Sequence, residues 1–204
     1  NYLLMNLIKH PDTVKFVEND PSKVSLRFVP GIPDGSCDTL SVSGIGDLWT
    51  NTIKDTALMI CNYRPKTYDI VINEILADPD PPVGLPSGEF IELYNTTPFT
   101  VNLEGWLIQC GNTRKNFPPV EMEPNGYLIV ARDSMFRKYG NCVLLFTASA
   151  TLSNEGSLIV IKDKDQRIIH AVEWDPSWYG DSFKKEGGWS IEMADPANPC
   201  GCLG

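Results

Sequence analysis

The sequence is poor in basic residues, in histidine and in long apolar runs, and each shortage argues against a class of function. Lysine and arginine number 17 against 26 acidic residues, for a formal net charge of −9 over 204 residues. Proteins that grip nucleic acid bring lysine and arginine to the phosphates, so the lack of a basic cluster argues against that partner. The nearest approach, Lys162, Lys164 and Arg167, is interleaved with Asp163 and Asp165 and reads as a solvated hairpin turn. No apolar stretch reaches the roughly 18 residues that a membrane-spanning helix requires. The opening "NYLLMNLIKHPDTV" has neither the basic start nor the small-residue cleavage site of a secretory signal. It begins abruptly in what reads as a strand, so the expectation is a piece of a larger protein whose export signal lies upstream. The two histidines, His10 and His170, stand apart, and the six cysteines form no CxxC pair, a distribution unsuited to zinc.

The cysteines (Cys37, Cys61, Cys110, Cys142, Cys200 and Cys202) leave two alternatives open. They form disulfides in an oxidising compartment, with many possible connectivities, or they are buried thiols in strands.

What is present is β-structure. From residue 67, "YDIVINEIL", "EFIELYN", "GWLIQ", "GYLIVA", "NCVLLF", "GSLIVIK", "RIIHAVEW" and "GWSIEM" follow one another, separated by Gly, Pro, Asn or Asp. Short strands at regular spacing predict an all-β antiparallel sandwich or barrel. "DKDQ" at 163–166 joins two strands as a hairpin, and "DSMFRKYG" predicts a short helix capped by Asp133 or Ser134 and ended by Gly140. Residues 1–66 also alternate like β-structure, in "VSLRF" and "DTLSVSG", but are too short for a complete sandwich, which takes about 100 residues. "NYRPKT" at 62–67 reads as a linker. Two modules follow, 1–66 incomplete and 67–204 complete.

Two strands of the second module each carry a glutamate, Glu74 and Glu92. A period of two puts Ile70, Ile72, Glu74 and Leu76 on one face and Val71, Asn73 and Ile75 on the other. In the partner strand, Phe90, Glu92 and Tyr94 lie opposite Ile91, Leu93 and Asn95. A glycosidase needs two carboxyl groups roughly 5–9 Å apart, and adjacent strands permit that separation. No nucleophile elbow, histidine-based triad or phosphate loop accompanies them. The alternative is structural: half-buried carboxylates that accept hydrogen bonds within the sheet, as buried charge demands.

"DIVINEILADPD", "GEFIELYNTTPFTVNLEGWLI" and "FPPVEMEPNGYLIVA" together resemble the lamin-tail domain, an immunoglobulin-like sandwich. The resemblance rests on Ile72-Asn73-Glu74, on Phe90 to Asn95, on Leu103, Gly105 and Trp106, and on Pro124, Gly126, Tyr127 and Leu128. "LSNEGSLIVIKDKDQRIIHAVEW" continues it, so it spans about 67–195 in matching order. It implies an immunoglobulin-like antiparallel β-sandwich of lamin-tail type, in which Asn73, Glu74, Glu92, Asn95, Gly105 and Trp106 are structural. More weakly, "LSVSGIGDLWTNTI", with Asp47 and Asn51, resembles the C-terminal half of a bacterial surface Ig-like module. The pairing implies a bacterial protein, exported to the periplasm, cell surface or medium.

Two further stretches are candidates for binding. Asp78, Asp80 and Glu89 in "ADPDPPVGLPSGE" offer oxygen ligands to calcium, though the spacing fits no EF-hand and three prolines stiffen the loop. A solvated loop without a cofactor is the plainer expectation. "DPSWYGDSFKKEGG" at 175–188 places Trp178 and Tyr179 near the basic pair Lys184 and Lys185, as in interaction hot spots. The whole reads as a non-catalytic binding or architectural module whose partner is a protein or glycan at the cell envelope. A carbohydrate-binding module using exposed aromatics, and a hydrolase using the Glu pair, are the alternatives.

Overall fold

The computed structural model describes residues 1–47, 49–147 and 151–199. The chain divides into two compact units, Asn1–Arg64 and Pro65–Gly204. In the first, β1 (Tyr2–Leu4) pairs with β4 (Ser36–Val42), which pairs with β5 (Thr56–Asn62), while β2 (Thr13–Val17) and β3 (Asp20–Arg27) form a separate hairpin. Cys37 and Cys61 lie opposite each other in the β4–β5 register and are joined by a disulfide. Asp38 is buried and accepts hydrogen bonds from the Asn6, Leu7 and Thr39 amides. Burial pushes its pKa up, but the backbone donors outweigh that and hold it below the ordinary value. Asp47 and Asn51 bond side chain to side chain at 2.7 Å and backbone to backbone at 2.9 Å, closing the turn between them. Little of this unit is core: Phe16 is 75% exposed, Met59 77% and Leu58 50%.

The second unit is a sandwich of immunoglobulin-like kind. One sheet contains β6 (Ile70–Leu76), β7 (Phe90–Asn95), β12 (Tyr127–Ala131), β13 (Cys142–Leu144) and β16 (Ile191–Glu192), in the order β13-β12-β7-β6-β16. The other contains β9 (Leu107–Cys110), β10 (Thr113–Asn116), β14 (Ser157–Lys162) and β15 (Ile168–Trp174), in the order β10-β9-β14-β15. A ribbon of β8 (Val101–Asn102) and β11 (Glu121–Met122) lies between them in the chain. Every long strand predicted from the sequence is present. All pairings are antiparallel except β12–β13, which is parallel because a crossover containing a 3-10 helix, Ser134–Tyr139, joins them. Asp133 caps that helix by accepting from the Met135 amide.

Inward-facing Ile72, Ile75, Ile91, Leu93, Leu128 and Val130 from one sheet, with Ile108, Ile159 and Ile161 from the other, are all buried. Full burial of one such side chain contributes about 1.5–3 kcal/mol, and this alternating set makes the core. A second, smaller cluster lies on the far face of the first sheet, where Phe136 from the 3-10 helix covers Leu76, Phe90, Ile129 and Ala131. Cys110 and Cys142 are free thiols. Burial pushes Cys110 up to about 12, so it remains an unreactive thiol. Cys200 and Cys202 lie outside the described residues.

Two expectations are corrected by local geometry. The alternation in β6 breaks at a bulge: Ile72 pairs with Leu93, but Glu74 pairs with Glu92, leaving Asn73 as the extra residue. A bulge advances the strand by one residue, so Glu74 shares the outer face with Val71 and Leu76 rather than with Ile70 and Ile72. The "DKDQ" hairpin is also not wholly solvated. Asp163 is 3% exposed and accepts from the Asp165 and Arg167 amides at 2.9 Å and from Arg167 Nε at 2.7 Å. An acidic residue in a turn looks solvated in sequence, yet here it organises the turn from beneath.

The two sheets are zipped together along one edge. The Tyr68 amide donates to the Ile169 carbonyl, and the Ile72 amide donates to Nδ1 of His170, 3.0 Å away on β15. His170 is 2% exposed, and burial holds its pKa down to about 4. Accepting at Nδ1 requires the neutral ring. The unfolded chain takes up a proton near pH 6.5 while the folded one resists until about pH 4. The neutral ring's contribution is therefore full above pH 6.5 and is lost as pH falls through the folded value, a span of about 3 kcal/mol. His170→Gln keeps an acceptor but does not titrate. Urea unfolding at pH 7 and pH 4 is expected to show that much less acid destabilisation in His170→Gln than in the parent. Equal slopes in the two proteins would remove His170 from the account.

Candidate binding surface

Past Ile72 no hydrogen bond joins β6 to β15 among the described residues, and the sandwich edge opens into a cleft of about 770 Å³. Ile72, Asn73, Ile75, Val172 and Ile191 to Ala194 line it together with Pro199 and Trp178, whose half-exposed indole puts it at the mouth. The size falls within the range of ligand and anchor pockets, about 300–1,000 Å³, and the lining is largely apolar, as such pockets are.

Trp178 stands where it does because of local chain chemistry. Asp175 accepts from the Ser177 amide at 2.7 Å and caps a 3-10 turn, Pro176–Tyr179, with proline at its start and Gly180 in the left-handed conformation at its end. That turn sends consecutive aromatics in different directions. Trp178 is 53% exposed. Tyr179 is half-buried and donates its hydroxyl to the Trp189 carbonyl at 2.9 Å. The basic pair divides too: Lys184 Nζ lies 5.3 Å from the Trp189 ring centroid, a cation–π contact, while Lys185 is exposed. Of the four residues singled out in this loop, Trp178 alone lines the cleft.

Of the calcium candidates, Asp80 and Glu89 line one small pocket with Ser87, Arg132 and Asp133, and Asp78 does not line it. Glu89 Oε2 accepts from the Thr151 and Leu152 amides at 2.7 and 3.1 Å, and Asp80 accepts from Ser87 Oγ at 3.2 Å. Burial pushes Glu89 above the ordinary range. No group of three or more carboxylate, histidine or cysteine residues able to hold a metal is found among the described residues.

Glu74 and Glu92 are neighbours across the sheet, both partly buried, and neither lines the cleft. Asn73 donates to Glu92 Oε1 at 3.0 Å. Burial raises the Glu92 pKa, with Glu74 and Glu192 adding like-charge repulsion. Glu74 accepts no hydrogen bond among the described residues.

The sequence matches the model of the Lamin Tail Domain family over residues 64–176, more than half of the chain. The chain belongs to the lamin-tail domain family. No curated protein matches it. The lamin-tail match covers β6 to β15, the strands of both sheets that build the core, and ends at Pro176, just before Trp178. The cleft mouth and β16 therefore lie beyond the part of the lamin-tail domain that the family match covers.

Within the lamin-tail region the remaining motif residues are deep in the fold. Trp106 is 3% exposed and its amide donates to the Leu103 carbonyl, closing the turn in which Gly105 takes a positive φ of 77°. Asn95 is fully buried and bonded on every side. Sequence reasoning missed Glu192, which the β16–β6 register sets beside Glu74, and Phe183, which is 68% exposed in the same loop as Trp178. A two-residue strand leaves no periodic signal, so Glu192 had none to give.

Proposed function

We propose that this chain is a non-catalytic, protein-binding module of a larger exported bacterial protein, where it serves adhesion, envelope attachment or the positioning of a catalytic domain. The observation that carries the reading is Trp178, a half-exposed indole at the mouth of an apolar cleft of about 770 Å³. Large aromatics beside a desolvated pocket are the usual anchors of protein interfaces. A protein partner is favoured over a glycan because Tyr179 is half-buried and does not line the cleft, which leaves Trp178 without a second ring there for a sugar to stack on. The Cys37–Cys61 disulfide supports an oxidising compartment, as export implies. The Glu pair lies outside the cleft, and no group able to hold a metal stands beside it among the described residues, which favours binding over hydrolysis.

Trp178→Ala tests this. With the indole largely in solvent, the variant is expected to keep its melting temperature while losing about 30-fold in affinity for the partner, the loss typical of a hot spot. The partner is first isolated from envelope fractions on the immobilised chain and identified. Binding that survives the substitution, or that a glycan array reproduces with free sugars, would sink the protein-anchor reading.

A further inference from the structure

The outer face of the β13-β12-β7-β6-β16 sheet carries a row of like charges that the fold does not neutralise. Register sets Glu74 opposite Glu92 on one side and Glu192 on the other. These are three carboxylates on three adjacent strands, spaced about 5 Å apart. Like charges directly opposite one another destabilise a sheet, and packing alone gives no reason to align them. The ion pairs among the described residues are Lys9–Asp12, Lys23–Asp20 and Arg167–Asp163, and none involves this row.

A second, independent observation lies in the same place. Asn73, the bulge residue, is 4% exposed. Its Nδ2 donates to Glu92 Oε1 at 3.0 Å, and its Oδ1 has no partner among the described residues. A buried acceptor left unpaired costs about 1–3 kcal/mol, so the row already holds an acceptor that lacks a donor. Beside it are two tyrosines. Tyr94 and Tyr127 face each other in register with ring centroids 4.7 Å apart, and Tyr127 is half-exposed. Burial, then Tyr94, Glu92 and Glu192, push the Tyr127 pKa up, which places its hydroxyl within the field of the row.

We propose that this face binds the guanidinium of an arginine presented by a partner protein, held between the Glu92–Glu74–Glu192 row and the Tyr127 ring. What the row leaves unsatisfied is an acceptor, negative charge and a π face. A guanidinium supplies the complement: five N–H donors in a rigid plane, a delocalised positive charge, and a flat surface that stacks on aromatic rings. The three carboxylates do not form a group that could hold a metal ion, whereas a guanidinium spreads its donors over several ångströms. A second copy of this chain is a poor occupant, since it brings another net charge of −9 to an acidic face. Trp178 takes no part, but Asn73 and Glu192 also line the cleft, so the two sites adjoin. Trp178→Ala, which leaves the row and the Tyr127 ring intact, tells the failure of one from the failure of the other.

The experiment titrates the full chain with the blocked peptide Gly-Arg-Gly-Arg-Gly and with its citrulline counterpart, which has the same shape and no charge, followed by NMR. The arginine peptide is expected to shift the Tyr94, Tyr127 and Glu92 resonances saturably, with a Kd of about 1 mM, and the citrulline peptide to bind at least about tenfold more weakly. The double variant Glu74→Gln, Glu92→Gln should lose about tenfold in affinity with its amide spectrum otherwise unchanged. Tyr127→Leu removes the ring without touching the charges and should weaken binding about threefold. Shifts elsewhere on the surface, equal response to citrulline, or parental affinity in both variants would overturn the proposal. So would shifts that depend on protein concentration without peptide, because they would assign the row to a second copy.

Discussion

Asn95→Ala is expected to destabilise the lamin-tail unit by about 4 kcal/mol, an effect on the scale of truncating a large core side chain. The Asn95 side chain is 0% exposed at the end of β7. Its Nδ2 donates to the carbonyls of Phe99, Met122 and Glu123 at 2.8, 3.1 and 3.0 Å, so two hydrogens are shared among three acceptors. Its Oδ1 accepts from the Thr97 amide at 3.0 Å and the Thr97 hydroxyl at 2.8 Å. One carboxamide thus ties β7 to the turn that follows it and to β11. Alanine leaves several buried backbone groups without partners, each costing about 1–3 kcal/mol, partly offset by relaxation and entering water. Asn95→Asp is the sharper probe because it keeps the shape and removes the donor. A carboxylate there faces three carbonyl oxygens, so at pH 7 it should be no better tolerated than alanine. Urea unfolding of both variants measures this. A stable Asn95→Asp protein would show that the carbonyls do not depend on that donor.

The architecture was largely legible because each long strand carries its own signal. "DIVINEIL", "EFIELYN" and "GSLIVIK" alternate or run apolar between turn residues, and all three are strands. Motif order across the chain then selected one sandwich type among many. What was not legible depends on two-dimensional neighbours. The bulge at Asn73 has no mark in a strand that is apolar on both faces, and it reverses the face on which Glu74 sits. Asp163 looks like any acidic turn residue until the backbone folds over it. β8 and β11 have two residues each and cannot show a period, and β16, read as a strand in "GWSIEM", gave no sign of its register beside β6. The disulfide partners needed the β4–β5 register, which sequence spacing does not supply. At the binding loop, composition pointed to Trp178 but could not separate it from Tyr179, because exposure of neighbours in a 3-10 turn is set by what the turn packs against.

That packing is tested severely by Gly188→Ala, expected to cost about 3 kcal/mol or more. The loop carrying Trp178 ends at Gly187 and Gly188, where the backbone presses against the proline-rich segment 78–83. The Gly188 amide donates to the Asp78 carbonyl at 2.8 Å, and φ there is +77°. A methyl group at Gly188 would sit inside contact distance of the Pro81 carbonyl oxygen and 2.9 Å from the Val83 amide nitrogen. Backbone on the other side cannot swing away as a flexible side chain would, so steric overlap adds to the cost of a left-handed residue. Gly180→Ala, in the same loop, isolates the backbone term: φ is +63° and nothing lies within 4 Å of the added carbon. It should cost about 1 kcal/mol, a fall of roughly 2–4 °C in melting temperature, against roughly 6–12 °C for Gly188→Ala. Equal losses in the two variants would mean that the strap does not press on segment 78–83. If the difference appears, Gly188→Ala should also weaken partner binding beyond its effect on stability, because the strap is what holds Trp178 at the mouth of the cleft.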